Sequence, residues 1–377
     1  MENVLFITRN FPPLTGGMER LALHTYLALS NKYTVTLIGP NGCSTFVKSK
    51  DHAINGPKNV FYFLMYAFIK GWRETRNKQY KVCIGGSGVV APIVVTLANI
   101  IKIPSLVFIH GLDLVINNRI YQTLFIPFIR KSTKLAANSR NTAQLAISKG
   151  VPPAKIEIIF PGVEIPDKQT TQPTFRHQYK LNNKKILLSV GRLIPRKGIV
   201  EFITSSFTQI AKEVPESVLV IIGEEAHQSL KKNTPLKKSI LRIINQYKLQ
   251  QQVILIGNVT DEILNNAYEE AELFIFPVID LPGDVEGFGM VALEAASFGL
   301  PTLAFNAGGV SDAINNYQTG FLIEPNDYNQ MTKTAINYLN LEHKNEMANS
   351  CSKFAQSMSW QYFGNKLAKI MSDLSSQ

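Results

Sequence analysis

The chain of 377 residues is predicted to be an α/β protein with two parallel-sheet domains. Short runs rich in Val, Ile and Leu alternate with helical patterns from one end to the other, as βαβ units require. The length exceeds one core of ordinary size and suits two domains of about 150 to 190 residues. A polar, proline-bearing stretch without apolar periodicity, Ile165 to Pro173, divides the strand pattern evenly and is the expected linker. The N-terminal domain is therefore assigned residues 1–165 and the C-terminal domain residues 174–356, with 357–377 as a terminal segment.

In chain order, the strands expected in the first domain are Asn3 to Thr8, Thr34 to Ile38, Val82 to Ile84, Ser105 to Ile109, Lys134 to Ala137 and Ile156 to Ile159. Those of the second are Lys185 to Val190, Val218 to Ile222, Val253 to Ile256, Leu273 to Phe276, Thr302 to Ala304 and Gly320 to Ile323. Nearly continuous apolar runs of this length fit strands covered on both faces. The most apolar run, Val89 to Ile101, holds Pro92 and Asn99. At about thirteen residues it falls short of the ~20 needed to span a bilayer, and reads as a buried helix. Trp360 to Met371 has the spacing of an amphipathic helix.

The stretch that says most about chemistry runs from Val285 to Gly299. There Glu286 and Glu294 are separated by seven residues, and Gly287-Phe288-Gly289 opens an Ala/Leu-rich helix. A helix beginning near Phe288 puts Glu294 about two turns along it, with Glu286 and the glycine amides crowding its N-terminus. Such an end favours an anionic or hydroxyl-rich ligand, and the carboxylates suit sugar and ribose hydroxyls. An N-cap acid and a solvated helix residue would leave the same spacing, so a second element matters. Upstream, the strand ending at Val190 runs into Gly191-Arg192-Leu193-Ile194-Pro195-Arg196-Lys197-Gly198. Gly191 permits a sharp turn, and the loop leaves the C-terminal end of a strand, where ligands bind in open α/β sheets. Arg192 offers a bidentate fork and Lys197 a compact charge, a pair able to neutralise a pyrophosphate without metal.

Together these elements resemble the retaining glycosyltransferases of family four, which have the GT-B fold: two Rossmann-like parallel-sheet domains facing a central cleft. The resemblance covers almost the whole chain. It implies that Arg192 and Lys197 hold the donor diphosphate, that Glu286, followed by Gly287, Phe288 and Gly289, contacts the transferred sugar, and that Glu294 binds the ribose. Phe11 to Arg20, with Gly16 and Gly17, resembles the family's first glycine-rich loop, whose amides approach the donor phosphate. It is neither a Walker loop nor a G-x-G-x-x-G dinucleotide turn. His110-Gly111-Leu112-Asp113 resembles the segment carrying the family's histidine near the transferred sugar, although a lone His after a strand also fits a structural role. Asn138 to Thr142 and Lys155 to Glu164 match elements that close the family's first domain, with Glu164 where the family usually has Asp. Asp113 and Arg140 are the acceptor-side candidates. Gly257-Asn258-Val259 is assigned to the donor's base pocket only from its place after a strand. In relatives, a terminal helix such as that in 357–377 crosses back onto the first domain.

The implied reaction moves a sugar, with retention, from a UDP- or GDP-sugar to a lipid-linked, polysaccharide or lipopolysaccharide acceptor. His110, Arg192, Lys197 and Glu286 are the catalytic candidates, and no side chain is assigned as nucleophile. No DxD sequence is present, so neither metal nor other cofactor is expected. A nucleotide-sugar 2-epimerase of the same fold is the other enzymatic reading, to be separated by product analysis.

Composition narrows the setting. Cys43, Cys83 and Cys351 show no C-x-x-C spacing and no even count, which fits a reducing cytoplasm. Met1 to Thr8 leads into a strand rather than a cleavage site, so no signal peptide is expected. Residues 1–165 hold 19 Lys and Arg against 7 Asp and Glu, a net of +12, which leaves −1 of the whole-chain +11 for the remainder. Two candidate helices there, Phe61 to Arg73 and Arg119 to Lys131, mix aromatic and basic residues. They suit peripheral docking on an anionic membrane at its inner face, and equally suit core helices with a wet basic side. Nucleic-acid binding is not expected, because the positive residues are interleaved with aliphatic runs and no recognised module is present.

Overall fold

Every expected strand forms, and each pairs in parallel with its neighbours in the computed structural model, which describes residues 1–166, 175–225 and 236–375. Residues 167–173 of the expected linker lie outside the described residues, as do 174, 376 and 377. The first sheet comprises β1 (Asn3–Ile7), β2 (Thr34–Pro40), β3 (His52–Gly56), β4 (Val82–Gly85), β5 (Ser105–Ile109), β6 (Lys134–Ala137) and β7 (Ile156–Ile158), in the order β3-β2-β1-β4-β5-β6-β7. The second comprises β8 (Lys185–Val190), β9 (Ser217–Ile222), β10 (Val253–Gly257), β11 (Leu273–Phe276), β12 (Thr302–Phe305) and β13 (Gly320–Ile323), in the order β10-β9-β8-β11-β12-β13. In each sheet the strand order reverses beside the first strand, so a crevice opens between the loops after β1 and β4, and another between those after β8 and β11.

The chain divides into two units. One takes Met1–Gly162, Pro282–Phe288 and Met358–Gln377, the other Val163–Leu281 and Gly289–Ser357. In the first, side-chain alternation along β1 builds a core on both faces of the sheet. Leu5 and Ile7 join a cluster with Phe63 of α2 (Val60–Asn77) and Leu97 of α3 (Ala91–Ile101). Val4 and Phe6 join another with Tyr26 of α1 (Gly17–Ser30) and with Phe363 and Leu367 of the terminal helix, Trp360–Ser375. Helix α2 starts at Asn59, whose side chain accepts from the N–H groups of Phe61 and Tyr62. Its inner face is set by close fits: Phe63 lies against Gly56, and Gly71 admits Leu97, whose Cδ1 would be 2.6 Å from a Cβ there.

Three sequence expectations change. Strand β3 has no apolar run in its sequence, His-Ala-Ile-Asn-Gly, because it is an edge strand on which His52 and Asn55 stay exposed and only Ala53 and Ile54 pack on the core. Arg119 to Lys131 is two short helices, Arg119–Leu124 and Ile126–Lys131, since Pro127 has no N–H to continue the first. The helix after the glycines begins at Met290, not Phe288, because Gly289 takes a left-handed conformation, φ 93°, at its N-cap. Glu294 therefore sits one turn into that helix.

The terminal helix is held to α1 by His24, whose ring stacks on Trp360 at 3.8 Å between centroids. Burial, with the charge of Arg20 second, lowers the His24 pKa to about 4. The folded state thus binds its proton less readily than the unfolded chain, so stability is full above the ordinary histidine value near 6.5 and falls as pH drops from there toward 4. Allowing for partial solvent screening, the loss is expected to be on the order of 1 to 2 kcal/mol. Urea midpoints measured across this range should fall less steeply for His24→Phe than for the parent; identical pH profiles would exclude His24 as the cause.

Candidate functional site

In the second unit, three neighbouring strands end in glycines with positive φ: Gly191 at 140°, Gly223 at 136° and Gly257 at 83°. Their loops are joined by backbone hydrogen bonds, from Gly191 N–H to Ile222 O (3.0 Å) and from Gly223 N–H to Gly257 O (2.9 Å). A Cβ at Gly223 would lie 2.0 Å from the carbonyl oxygen of Gly191, so no other residue fits without moving backbone. The loop after β8 turns back at Gly198, φ 65°, where a Cβ would lie 2.0 Å from the carbonyl oxygen of Pro277. Ile279 N–H donates to Arg196 O at 3.0 Å, tying this loop to the one after β11. The segment carrying Arg192 and Lys197 is thereby fixed at the reversal between β8 and β11.

Within it, Arg192 is exposed and Lys197 half-buried. The ammonium of Lys197 stands 4.5 Å from the centroid of Phe276, the last residue of β11. Gly191, Arg192, Lys197 and Phe276 line a small crevice. Gly289 packs on the same ring, with a Cβ there only 2.9 Å from it, which seats the start of helix α4 (Met290–Ser297) beside the crevice. On that helix the half-buried Glu294 carboxylate accepts from the hydroxyl of buried Tyr268 at 3.3 Å. Asn258 donates to Glu224 Oε2 at 2.9 Å, so it is engaged across the loop ends. Val259 is half-buried beside it.

The first unit has its own arrangement at the same strand ends. Gly16, φ 151°, caps α1, and Gly17 begins the helix; Glu19 in its first turn folds back to accept from Asn10 Nδ2 at 2.8 Å. After β4, Gly86 fits against Thr8, where a Cβ would lie 2.3 Å from the hydroxyl oxygen. His110 follows β5 and is buried, with Nε2 2.8 Å from Gly86 O. A carbonyl only accepts, so Nε2 carries the proton, and in the neutral ring Nδ1 keeps a bare lone pair. Nδ1 is buried without a hydrogen-bond partner. Asp113, also buried, accepts from the His110 N–H at 3.1 Å and holds the turn through Gly111, φ 83°.

The segment bearing Glu286 crosses this turn. Gly287 passes so close that a Cβ would lie 2.5 Å from His110 O and 2.9 Å from Asn138 Nδ2. Phe288 is buried against Phe160, 5.8 Å between centroids, and Arg140 lies over the other aromatic, 5.5 Å from the Phe160 centroid. The first unit thus brings together His110, Asp113, Arg140, Glu286, Gly287 and Phe288, with Gly16 and Gly17 on the adjoining loop after β1. The second unit gathers Arg192, Lys197 and Gly289, with Glu294 on the helix that Gly289 opens and Gly257, Asn258 and Val259 along the strand ends. Sequence reasoning missed Phe276, Tyr268, Glu224 and Gly86, and it quoted Asn138 without assigning it a role. Gly86 and Gly223 carried a usable signal, a glycine directly after an apolar strand. The aromatic residues carried none, being typical of any core.

Both units have the alternating parallel architecture of GT-B proteins. The crystal structure of Anabaena Alr3699/HepE in complex with UDP and glucose superposes with a TM-score of 0.81, covering 99% of this chain and 100% of that one at 17% identity. Residues 15–165 match the sequence model of Glycosyltransferase Family 4, and residues 171–358 that of Glycosyl transferases group 1. The chain belongs to this glycosyltransferase family. It is 25% identical over 62% of its length to the GDP-mannose-dependent alpha-(1-6)-phosphatidylinositol monomannoside mannosyltransferase of Mycolicibacterium smegmatis, and spans 60% of that relative's length. It is 24% identical to the UDP-Gal:alpha-D-GlcNAc-diphosphoundecaprenol alpha-1,3-galactosyltransferase of Escherichia coli, over 90% of this chain and 89% of that relative.

Gly198→Ala tests whether the loop geometry matters as described. The added methyl must displace either Pro277 or Lys197, and a misplacement of about 1 Å at a binding group commonly costs ~100-fold. Isothermal calorimetry with UDP and with GDP is expected to show, for a nucleotide to which the parent binds, affinity lower by about tenfold or more; unchanged affinity would show the loop to be tolerant.

Proposed function

We propose that this protein transfers a sugar from a nucleotide-diphospho-sugar to a lipid-linked or polysaccharide acceptor, with retention of configuration and without a metal ion. The observation that carries the reading is the backbone-locked loop of Gly191 to Gly198, which holds Arg192 and Lys197 at the strand reversal. As the glycosidic bond breaks, negative charge gathers on the departing diphosphate. Cations already fixed in place stabilise that charge more in the transition state than in the ground state. A guanidinium and an ammonium held at this point supply the charge that a divalent ion supplies elsewhere.

Glu294 is assigned to the ribose, its carboxylate oriented by Tyr268. Glu286, together with the bare Nδ1 of His110, is assigned to hydroxyls of the transferred sugar; a buried ring nitrogen without a partner is costly unless a ligand supplies a donor. Attack is assigned to the face from which the diphosphate leaves, with a phosphate oxygen receiving the acceptor proton. The acceptor class rests on the relatives, one named for a phosphatidylinositol monomannoside and one for a diphosphoundecaprenol-linked sugar. A donor built on a nucleoside diphosphate agrees with the UDP in the superposed structure and with the donors in both relatives' names.

Thermal protection by a panel of UDP- and GDP-sugars identifies the donor, since a ligand bound only by the folded state raises stability by RT ln(1 + [L]/Kd). With that donor, Arg192→Ala and Lys197→Ala are each expected to lower turnover by roughly a hundredfold with little change in melting temperature. Near-normal turnover at saturating donor would remove the diphosphate assignment.

The two glutamates should separate kinetically. Glu294→Ala is expected to weaken donor and free nucleoside diphosphate by similar factors, because both contain the ribose, whereas Glu286→Ala leaves nucleotide affinity intact and lowers transfer. Equal loss of nucleotide affinity in both variants would contradict the division of roles. Turnover should also survive EDTA; loss on chelation with recovery on adding Mg²⁺ or Mn²⁺ would assign the charge-neutralising role to a metal instead.

A further inference from the structure

Helix α2 presents an unusual outer face. Phe61, Tyr62, Met65, Phe68 and Ile69 recur at intervals of one, three, three and one residues, which places them on one side of a helix. All five are exposed, Phe61 and Tyr62 by 65% and 63% of their surface. The face opposite is already occupied, with Phe63, Ala67 and Gly71 buried in the core of the first unit. The stripe is therefore not core surplus turned by a register error. Beyond it toward the C-terminal end of the helix stands Trp72, half-buried against the core, with the Arg76 guanidinium 6.0 Å from its ring, and exposed Arg73 borders the stripe. The helix has a single acid, Glu74, which lies off the stripe and pairs with Lys78 at 3.4 Å. Aromatic and aliphatic side chains bordered by arginines, on a domain segment of net charge +12, match a surface that is apolar beneath and anionic on top.

We infer that the outer face of α2 is a membrane-docking surface that lies in the headgroup region of an anionic bilayer, with Phe61, Met65, Phe68 and Ile69 entering the acyl boundary and Arg73 and Arg76 held by lipid phosphates. Tyr62 and Trp72 are of the type that settles at the interface between the two. The segment Arg119 to Lys131 does not share this role as a unit, because its helix is broken before Pro127. Among the described residues no helix is long and apolar enough to cross a membrane, so attachment through α2 is peripheral and reversible. This surface does not depend on the proposed reaction, although a lipid-linked acceptor would make it useful.

Flotation of the full chain with phosphatidylcholine vesicles containing about a third phosphatidylglycerol, in about 0.15 M salt, tests the inference. The parent is expected to float with these vesicles and not with pure phosphatidylcholine. Phe61→Ser with Met65→Ser and Ile69→Ser should lower partitioning about tenfold or more and leave binding that moderate salt abolishes, whereas Arg73→Ser with Arg76→Ser should weaken binding and leave a remainder less sensitive to salt. These positions lie on the surface, so melting temperature and nucleotide affinity should match the parent, which separates failure here from failure of the proposed reaction. In Trp360→Phe, which leaves Trp72 as the only tryptophan, brominated lipid should quench the emission. Equal flotation with neutral vesicles, absence of quenching, or a concentration-dependent dimer that the triple variant abolishes without any vesicle binding would overturn the inference, the last by assigning the face to a second copy of the chain.

Discussion

The site in the second unit depends on main chain approaching main chain at the ends of parallel strands. A Cβ at residue 223 would sit 2.0 Å from the oxygen of Gly191, and one at residue 198 would sit 2.0 Å from the oxygen of Pro277. Only glycine permits loops after adjacent strands to fuse in this way, and only at positive φ, the region glycine occupies without strain. From that fusion follow the position of Arg192, the placement of Lys197 over Phe276, and the seat of the helix that carries Glu294. The glycines give these loops their geometry, and the charged residues are carried on it.

The first unit repeats the device with different outcomes. Gly86 meets Thr8 and Gly287 meets His110, so close backbone passage again shapes the strand ends. Here it buries an imidazole whose Nε2 is committed to a carbonyl and whose Nδ1 is left unpaired. A buried ring nitrogen without a partner is uncommon and costly, which is the ground on which it is proposed to meet a ligand.

Strand positions were readable because parallel strands covered on both faces need uninterrupted apolar runs, and β1, β8 and β9 show them plainly. Edge strand β3 was not readable, since His52, Asn55 and their neighbours need no such pattern where one side faces water. The place of Gly191-Arg192 and Lys197-Gly198 directly after an apolar strand was legible in the sequence, while the role proposed for them came from the family resemblance. Phe276 and Tyr268 were not, because an aromatic residue that supports an ammonium or orients a carboxylate looks the same in sequence as one that fills a core.

The sequence by itself determined the class of fold, the strand ends at which chemistry gathers, and the uneven charge of the two halves. Each of these follows from short-range facts: the period of apolar residues, the freedom of glycine, and the count of Lys and Arg. Only the tertiary structure decided that Gly287, next to Glu286, passes over the backbone of His110 within the first unit, that Glu294 stands one turn rather than two into its helix, and that the apolar stripe of α2 faces outward. Those outcomes are set by which surfaces meet across the fold. The same residues, Phe61 to Ile69 among them, would read as core or as surface until Phe63 and Gly71 were seen to claim the inner face.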